Sequence, residues 1–418
     1  MRIAVVALGT RGDVQPYLAL AKGLVARGHR ATLVTHETFA GLAHEHGVPV
    51  APLTGDVLAA MRSERLAGAS EEPNFVVVTL RAAREAKRAS LVWAREGLEA
   101  CRGADLLVAG VGGLFLALAL AETLDVPLVQ AHVVPFTPTR EFPAVVFPAG
   151  VARLGGGANR ASHALLRQVM WQGSRPGDSA MRREVLGLRP LPIRGPFRSD
   201  RLLEHPTLYG FSRHVLPEPA DWQGVVTTGY WFVDAPDAWQ PSDDLARFLD
   251  AGPPPLFIGF GSMVSRDPAG TVRLLLEAIE RAGVRAILQA GWAGLRPEEA
   301  PPHVHVAGSV PHDWLFARVR GAVHHGGAGT TAASFRAGIP TLVVPHFGDQ
   351  GFWGERVRAL GAGPAPIARR RPDAPSLAAA LERLAGDETM RERAAELGAL
   401  VRAEEGVGTA VGVLEGVA

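Results

Sequence analysis

Short apolar runs without charge recur along the chain, each followed by a polar or glycine-rich turn and a stretch of helical spacing. Residues 3–8 form the first such run and fit a strand buried on both faces. Residues 9–13 read as a loop. A helix is expected over 16–27, with Pro16 at its start and Gly28 just past its end. Strands over 31–35 and 48–53 bracket a short helix over 39–46. This βαβαβ order predicts a doubly wound α/β sheet.

The pattern continues with a long helix over 75–101, a strand at 106–109, a helix at 114–124 and a strand at 126–131. Residues 135–157 are rich in Pro and Phe and predict an irregular wall, followed by a helix over 161–172. Strands at 207–210 and 224–231 end this half. Residues 234–254 hold several Pro, Gly and Asp around one short helix, and that composition marks a linker. Residues 255–262 then restart the pattern. Strands at 285–289, 303–307 and 322–324 alternate with helices at 271–282 and 313–319. Helices at 350–360, 376–385 and 389–404 close the chain. The expected division is 1–233, linker 234–254, 255–388, and a last helical segment, 389–418, crossing back to the first domain.

The densest candidate chemistry lies in 323–350. His325, Gly326, Gly327, Ala328 and Gly329 make a turn after a strand, and Thr330 and Thr331 open a helix. The first N–H groups of a helix lack partners and attract phosphate. A short strand follows, and Asp349 and Gln350 stand just beyond it. In an open parallel sheet ligands bind at the carboxyl ends of strands. A phosphate cradle and an acid–amide pair on one rim suit a sugar nucleotide. The turn is not GxGxxG, and no acidic residue follows at the spacing a ribose of NAD requires.

Composition narrows the picture. The 418 residues carry 43 basic and 42 acidic side chains, so no global field favours nucleic acid. A single cysteine, Cys101, excludes an internal disulfide and favours a cytoplasmic setting. The first apolar run is too short for a signal peptide. Residues 106–121 carry no charge but fall short of the ~18–20 residues of a membrane span. Arg81, Arg84, Lys87 and Arg88 on the long helix read first as a solvated face. Peripheral contact with anionic lipid is the alternative.

The motifs TRGDVQP, PFTPTREFPA, GYWF, FIGFGSM, PHDWLF, HHGGAGTT and PHFGDQ, in this order, resemble the inverting glycosyltransferases that use nucleotide-diphosphate sugars. The likeness is in particular to sterol 3-β-glucosyltransferases and bacterial antibiotic glycosyltransferases. It spans nearly the whole chain and implies the GT-B fold, two Rossmann-like doubly wound domains facing across a cleft. It implies that Gly261 and Ser262 lie near the donor diphosphate, that Val310 holds the nucleotide base through its backbone beside Ser309, and that His325, with Gly327, Gly329 and Thr330, binds the diphosphate. Asp349 and Gln350 would contact sugar hydroxyls. Plant relatives carry a Trp near Ser309 to stack on the base. Trp292 is a candidate substitute here, with simple packing the plainer reading.

On the acceptor side the resemblance points to Thr10, Arg11, Gly12 and Asp13. Plant relatives have a His base at Asp13 and an Asp partner about a hundred residues on, where this chain has Gly110. A carboxylate base needs no partner to fix a tautomer. Asp13 could instead merely cap the following helix, in which case His132 is the next candidate base. The implied activity is inverting transfer of glucose from UDP-glucose, a cosubstrate, to a hydroxyl of a hydrophobic acceptor such as a sterol or terpenoid. Alternatives are a dTDP-deoxysugar transferase acting on a polyketide or glycopeptide, and a non-catalytic sugar-nucleotide-binding protein. No Asp-x-Asp pair occurs, and the His-x-His pairs at 44–46 and 303–305 lack a third ligand in sequence. No metal and no cofactor are expected.

Overall fold

The computed structural model describes residues 1–55, 75–236, 238–260, 267–289, 299–367 and 373–417. For 75–86 and 268 it describes the backbone alone. The chain forms two compact units, Met1–Val233 with Glu404–Ala418, and Asp234–Ala403.

In the first unit the order is β1 (Arg2–Val6), α1 (Arg11–Ala26), β2 (Arg30–His36), α2 (Ala40–Glu45), β3 (Val50–Leu53), α3 (Phe75–Cys101), β4 (Leu106–Ala109), α4 (Leu114–Leu124), β5 (Leu128–His132), α5 (Gly156–Glu184), α6 (Asp200–Leu203), β6 (Thr207–Tyr209) and β7 (Val225–Thr227). The strands form one sheet in the order β3-β2-β1-β4-β5-β6-β7. All its pairings are parallel. Ile3, Val5, Leu33, Leu106 and Val108 bury against α1 on one face, and Ala4, Val6, Val34 and Leu107 against α4 on the other. Burial on both faces is why these strands read as unbroken apolar runs.

The second unit runs α7 (Asp243–Asp250), β8 (Leu256–Gly259), α8 (Pro268–Ala282), β9 (Ala286–Gln289), β10 (Val304–Ala307), α9 (His312–Phe316), β11 (Gly321–His324), α10 (Ala328–Ala337), β12 (Thr341–Val343), α11 (Gln350–Ala359), α12 (Ala374–Gly386) and α13 (Glu388–Arg402). Its sheet has the order β10-β9-β8-β11-β12, again parallel throughout. The order reverses between β8 and β11, where an open α/β sheet leaves its crevice.

Four expectations change. The first helix begins at Arg11 rather than Pro16, so the expected loop 9–13 is partly its first turn. Pro16 lies inside α1, where it forgoes the bond to the Gly12 carbonyl four residues back. The helix expected over 161–172 extends to Gly156–Glu184. Its buried Arg182 binds Asp178 at 3.1 Å and Glu122 of α4 at 2.6 Å. The 234–254 stretch packs into the second unit instead of standing apart. Leu245 is buried with Phe257, Ile287 and Leu315, and Asp234 pairs with Arg336. The closing segment 389–418 divides into two helices. α13 belongs to the second unit, and the chain rejoins the first at Glu404, where α14 (Gly406–Glu415) packs on α1.

The last packing is tight at its start. A side chain at Gly406 would meet the Tyr230 carbonyl oxygen at 2.2 Å, whereas at Gly412, on the same helix, nothing lies within 4 Å. Overpacking against backbone costs ~1–3 kcal/mol. Gly to Ala at an open helix position gains ~0.5–1 kcal/mol. Gly406→Ala is therefore expected to lower Tm by several degrees and Gly412→Ala to raise it slightly. Equal shifts in thermal melts would contradict this packing.

Candidate active site

At the carboxyl end of the first sheet, Asp13 and Tyr17, one turn apart on α1, line a small cavity of about 50 Å³. Val6 at the end of β1 with Ala7 and Leu8 after it, Gly110 to Gly113 after β4, and Val133 and Val134 after β5 complete it. One Asp13 oxygen, Oδ2, accepts from the Thr10 amide at 2.8 Å and the Thr10 hydroxyl at 2.9 Å. Thr10, not Asp13, is the N-cap; Asp13 is the third residue of the helix and closes a capping box back onto Thr10 through that one oxygen. Gly9, at φ +140°, is part of this arrangement, because a side chain there would meet Oδ2 at 2.5 Å. Desolvation raises the pKa of Asp13, and the two Thr10 bonds oppose the rise. The residue keeps solvent contact, so the desolvation is partial. Arg11 and Gly12 are exposed in the same turn, and Arg11 donates to Gln15 at 3.0 Å.

Gly110, the position where plant relatives carry an acid, has no room for one. A Cβ there would lie 1.6 Å from the Tyr17 hydroxyl. That hydroxyl donates to the Ala131 carbonyl at 2.6 Å. Tyr17 fills the space, and its ring meets Trp231 edge-on at 5.8 Å. Gly112 and Gly113 press against the Leu8 and Val6 carbonyls, where a Cβ would approach to 2.1 and 2.8 Å. The sequence reading missed Tyr17. Its signal was its place one helical turn after Asp13.

His132 ends β5 and is buried, and it packs against Phe136 and Tyr209. Burial, with Arg167 adding to it, pushes its pKa down to about 3, so the ring is neutral. It is not among the cavity's lining residues.

In the second unit, the predicted donor residues gather at the carboxyl ends of its strands. Gly308, exposed Ser309 and Val310 follow β10, and Val310 packs partly into the core beside Phe316. His325, Gly326 and Gly327 follow β11 and lead into α10. Thr331 N–H is the first α10 amide bonded back, to the Gly327 carbonyl at 3.0 Å, so the amides of Ala328, Gly329 and Thr330 precede the helical ladder. Gly261, Ser262 and Trp292 lie outside the described residues.

The two adjacent histidines do different work. His324 Nδ1 accepts from the Gly326 amide at 3.0 Å. Its Nε2 faces the Ser334 hydroxyl at 3.2 Å, which donates to the Thr330 carbonyl. This fixes His324 as the Nε2–H tautomer and ties the turn to α10. His325 Nδ1 is buried with no hydrogen-bond partner among the described residues. Burial lowers the His325 pKa to about 4, so it too is neutral at pH 7. Two glycines allow the turn. A Cβ at Gly327 would meet His325 Nε2 at 2.6 Å, and Gly326, at φ +88°, abuts Val343 and the Gln350 carbonyl.

Asp349 and Gln350 both hold hydrogen bonds within their own segment. Asp349 accepts from the Trp353 indole at 2.7 Å. Gln350 is buried, and its Oε1 accepts from the His346 amide at 2.7 Å and the Phe347 amide at 3.1 Å. Its acceptor is therefore spent on shaping the 344–349 loop, and only its NH₂ remains to donate outward. Among the described residues no group of three or more His, Cys, Asp or Glu could hold a metal ion.

Residues 3–143 match the Glycosyltransferase family 28 N-terminal domain, and residues 287–407 the Erythromycin biosynthesis protein CIII-like, C-terminal domain. The two matches cover well over half of the chain and fall one on each unit. The chain belongs to the GT-B glycosyltransferases. A sterol 3-beta-glucosyltransferase of Neosartorya fischeri is 36% identical over 432 residues, 98% of this chain and 29% of that protein. The chain thus spans under a third of the curated relatives it matches. Among solved structures, the glycotransferase of kitacinnamycin aligns over 99% of this chain and 98% of its own, at TM-score 0.68 and 21% identity. A Streptomyces sp. SF2575 glycosyltransferase complexed with thymidine diphosphate aligns over 100% and 99%, at TM-score 0.64 and 20% identity. Two parallel α/β units are the fold these relatives share.

The Gln350 arrangement is testable in this GT-B glycosyltransferase. Removing the amide strands two loop amides, at ~1–3 kcal/mol for each buried unsatisfied group. Gln350→Ala is expected to melt several degrees below wild type. Gln350→Glu, which keeps the acceptor oxygens, is expected to recover most of the loss. Identical melting of the two variants would show that the loop does not depend on this acceptor.

Proposed function

We propose that the chain transfers glucose from UDP-glucose to a hydroxyl of an apolar acceptor of sterol type, with inversion at the anomeric carbon. The observation that carries this is the match over 98% of the chain to proteins named sterol 3-beta-glucosyltransferase. Asp13 and the α10 turn lie within the matched length. Because the relatives are much longer, the activity is our reading of this chain.

In this reading the acceptor oxygen attacks the anomeric carbon on the face opposite the leaving UDP. Asp13 takes the hydroxyl proton as the C–O bond forms. Its upward-shifted pKa suits a base, since a stronger carboxylate base moves the proton further in the transition state. The bond between the anomeric carbon and the diphosphate breaks, and its electron pair leaves with UDP. The free amides at the start of α10 and an N–H of His325 stabilise that charge. The unpartnered Nδ1 of neutral His325 supports a polar ligand there. The Gln350 NH₂ and Asp349 would hold the sugar hydroxyls. Neutral and dipolar donors substitute for a cation in this scheme, and no cofactor takes part.

Turnover of UDP-glucose with a panel of sterols, followed by mass spectrometry of products, tests the reading. Glucosides are expected, and exclusive use of a dTDP-deoxysugar would overturn it. Activity should survive excess EDTA without magnesium; restoration by magnesium or manganese would refute the metal-free scheme. Asp13→Asn keeps the capping acceptor and should melt near wild type, bind UDP normally and lose ~10²–10⁴ in kcat. If Asp13→Asn stays active, Asp13 only closes the capping box. His325→Ala should weaken UDP binding in calorimetry. An anion beside His325 raises its pKa above the free value of about 4, so binding takes up a proton as pH falls. UDP affinity in wild type should therefore tighten toward pH 5, and the effect should vanish in His325→Ala.

A further inference from the structure

Tyr17 is a buried titratable group that the reaction scheme above leaves unused. It stands one turn after Asp13 on α1, and both residues line the same small cavity. Its hydroxyl proton is committed, because the group donates to the Ala131 carbonyl at 2.6 Å. Its oxygen occupies the space over Gly110, where a Cβ would stand 1.6 Å from it and 2.9 Å from the Ala131 carbonyl. The ring is fixed as well. It meets Trp231 edge-on at 5.8 Å, and the Trp231 indole donates to the Thr228 hydroxyl at 2.9 Å. Three elements therefore converge on one hydroxyl: α1, which carries Asp13, the end of β5, and the turn after β4.

The surroundings of Asp13 offer no other group to do this work. Among the residues that line the cavity, Tyr17 is the one titratable group besides Asp13, and the rest are apolar or glycine. Arg11, in the same turn, is exposed and donates to Gln15. His132, at the end of β5, is neutral and does not line the cavity. On α14, which packs on α1, Glu415 is held by Arg27 and His29 beyond the far end of α1. Thr10 takes Oδ2 of Asp13, and Oδ1 accepts no hydrogen bond among the described residues.

We propose that Tyr17 is a positioning residue for Asp13: its hydroxyl ties α1 to the end of β5 and closes the Gly110 space to water, so that Oδ1 meets the acceptor hydroxyl in a dry, fixed place. This rests on the reading above, in which Asp13 takes the acceptor proton. Tyr17 takes no proton itself. Burial and the Asp13 charge raise its pKa above the ordinary value of 10, so the phenol stays neutral.

Removing the hydroxyl has two consequences that act in one direction. The Ala131 carbonyl loses its side-chain donor, and the freed space admits water in its place. Water beside Asp13 relieves the desolvation that raises its pKa, so the carboxyl titrates nearer its ordinary value of 3.8. The base becomes both weaker and less well placed.

The test compares wild type with Tyr17→Phe, which keeps the ring and its contact with Trp231. Circular dichroism checks the fold, and Tyr17→Leu serves if Tyr17→Phe is not folded. The Asp13 carboxyl is titrated by infrared difference spectroscopy, its band assigned by its loss in Asp13→Asn. The midpoint is expected above 3.8 in wild type and lower by ~1 pH unit in Tyr17→Phe. With UDP-glucose and a sterol, kcat should fall ~10–10²-fold, and the acidic limb of kcat/KM should move to lower pH. UDP binding in calorimetry should not change. A merely structural role would lower Tm and leave the midpoint and the limb in place. An unchanged midpoint in the folded variant, or a wild-type kcat despite a lowered midpoint, would overturn the proposal. If wild type forms no glucoside while the midpoint falls in Tyr17→Phe, the enzymatic reading falls and the hold of Tyr17 on Asp13 stands.

Discussion

The constraint that organises this chain is the parallel sheet buried on both faces. Parallel strands need a crossover between each pair, most often a helix. The carboxyl ends of β1, β4 and β11 therefore open into a turn and a helix N-terminus. In both units candidate site residues lie at such ends. Asp13 sits in the first turn of the helix after β1, and His325 stands before the helix after β11.

Crowding at those ends is what glycine relieves. Gly9 leaves room for the Asp13 carboxylate, Gly110 for the Tyr17 hydroxyl, Gly112 for the Leu8 carbonyl and Gly327 for the His325 ring. In each case a missing side chain lets a polar group lie where it can act or be bonded. The glycine-rich look of these motifs thus has different local causes. The resemblance to phosphate-binding turns captures only the one at α10.

Adjacent residues in the motifs differ in what they hold. His324 locks the turn through Gly326 and Ser334, while His325 Nδ1 has no partner among the described residues. Gln350 spends its oxygen on the His346 and Phe347 amides, which limits what it can offer a sugar. Thr10 spends its hydroxyl on Asp13. A site built this way is rigid, because the neighbour of each proposed ligand contact already holds the backbone in place.

The order of strands and helices was legible in the sequence, because apolar runs of four to six residues and helical spacing are local properties of the chain. So were the positions of Asp13, His325 and Asp349 at strand ends, since a turn after an apolar run marks the rim. Helix limits were less legible. Pro16 suggested a start that the bonds from Thr10 to Asp13 place five residues earlier, and the 234–254 composition of a linker did not reveal that Leu245 has a core to enter. Only the tertiary structure decided that Tyr17 occupies the space at Gly110, ninety-three positions away, and which of two adjacent histidines is bonded. Those outcomes depend on contacts between residues far apart in the chain, and sequence spacing carries no information about the distance between two strand ends until the sheet has closed.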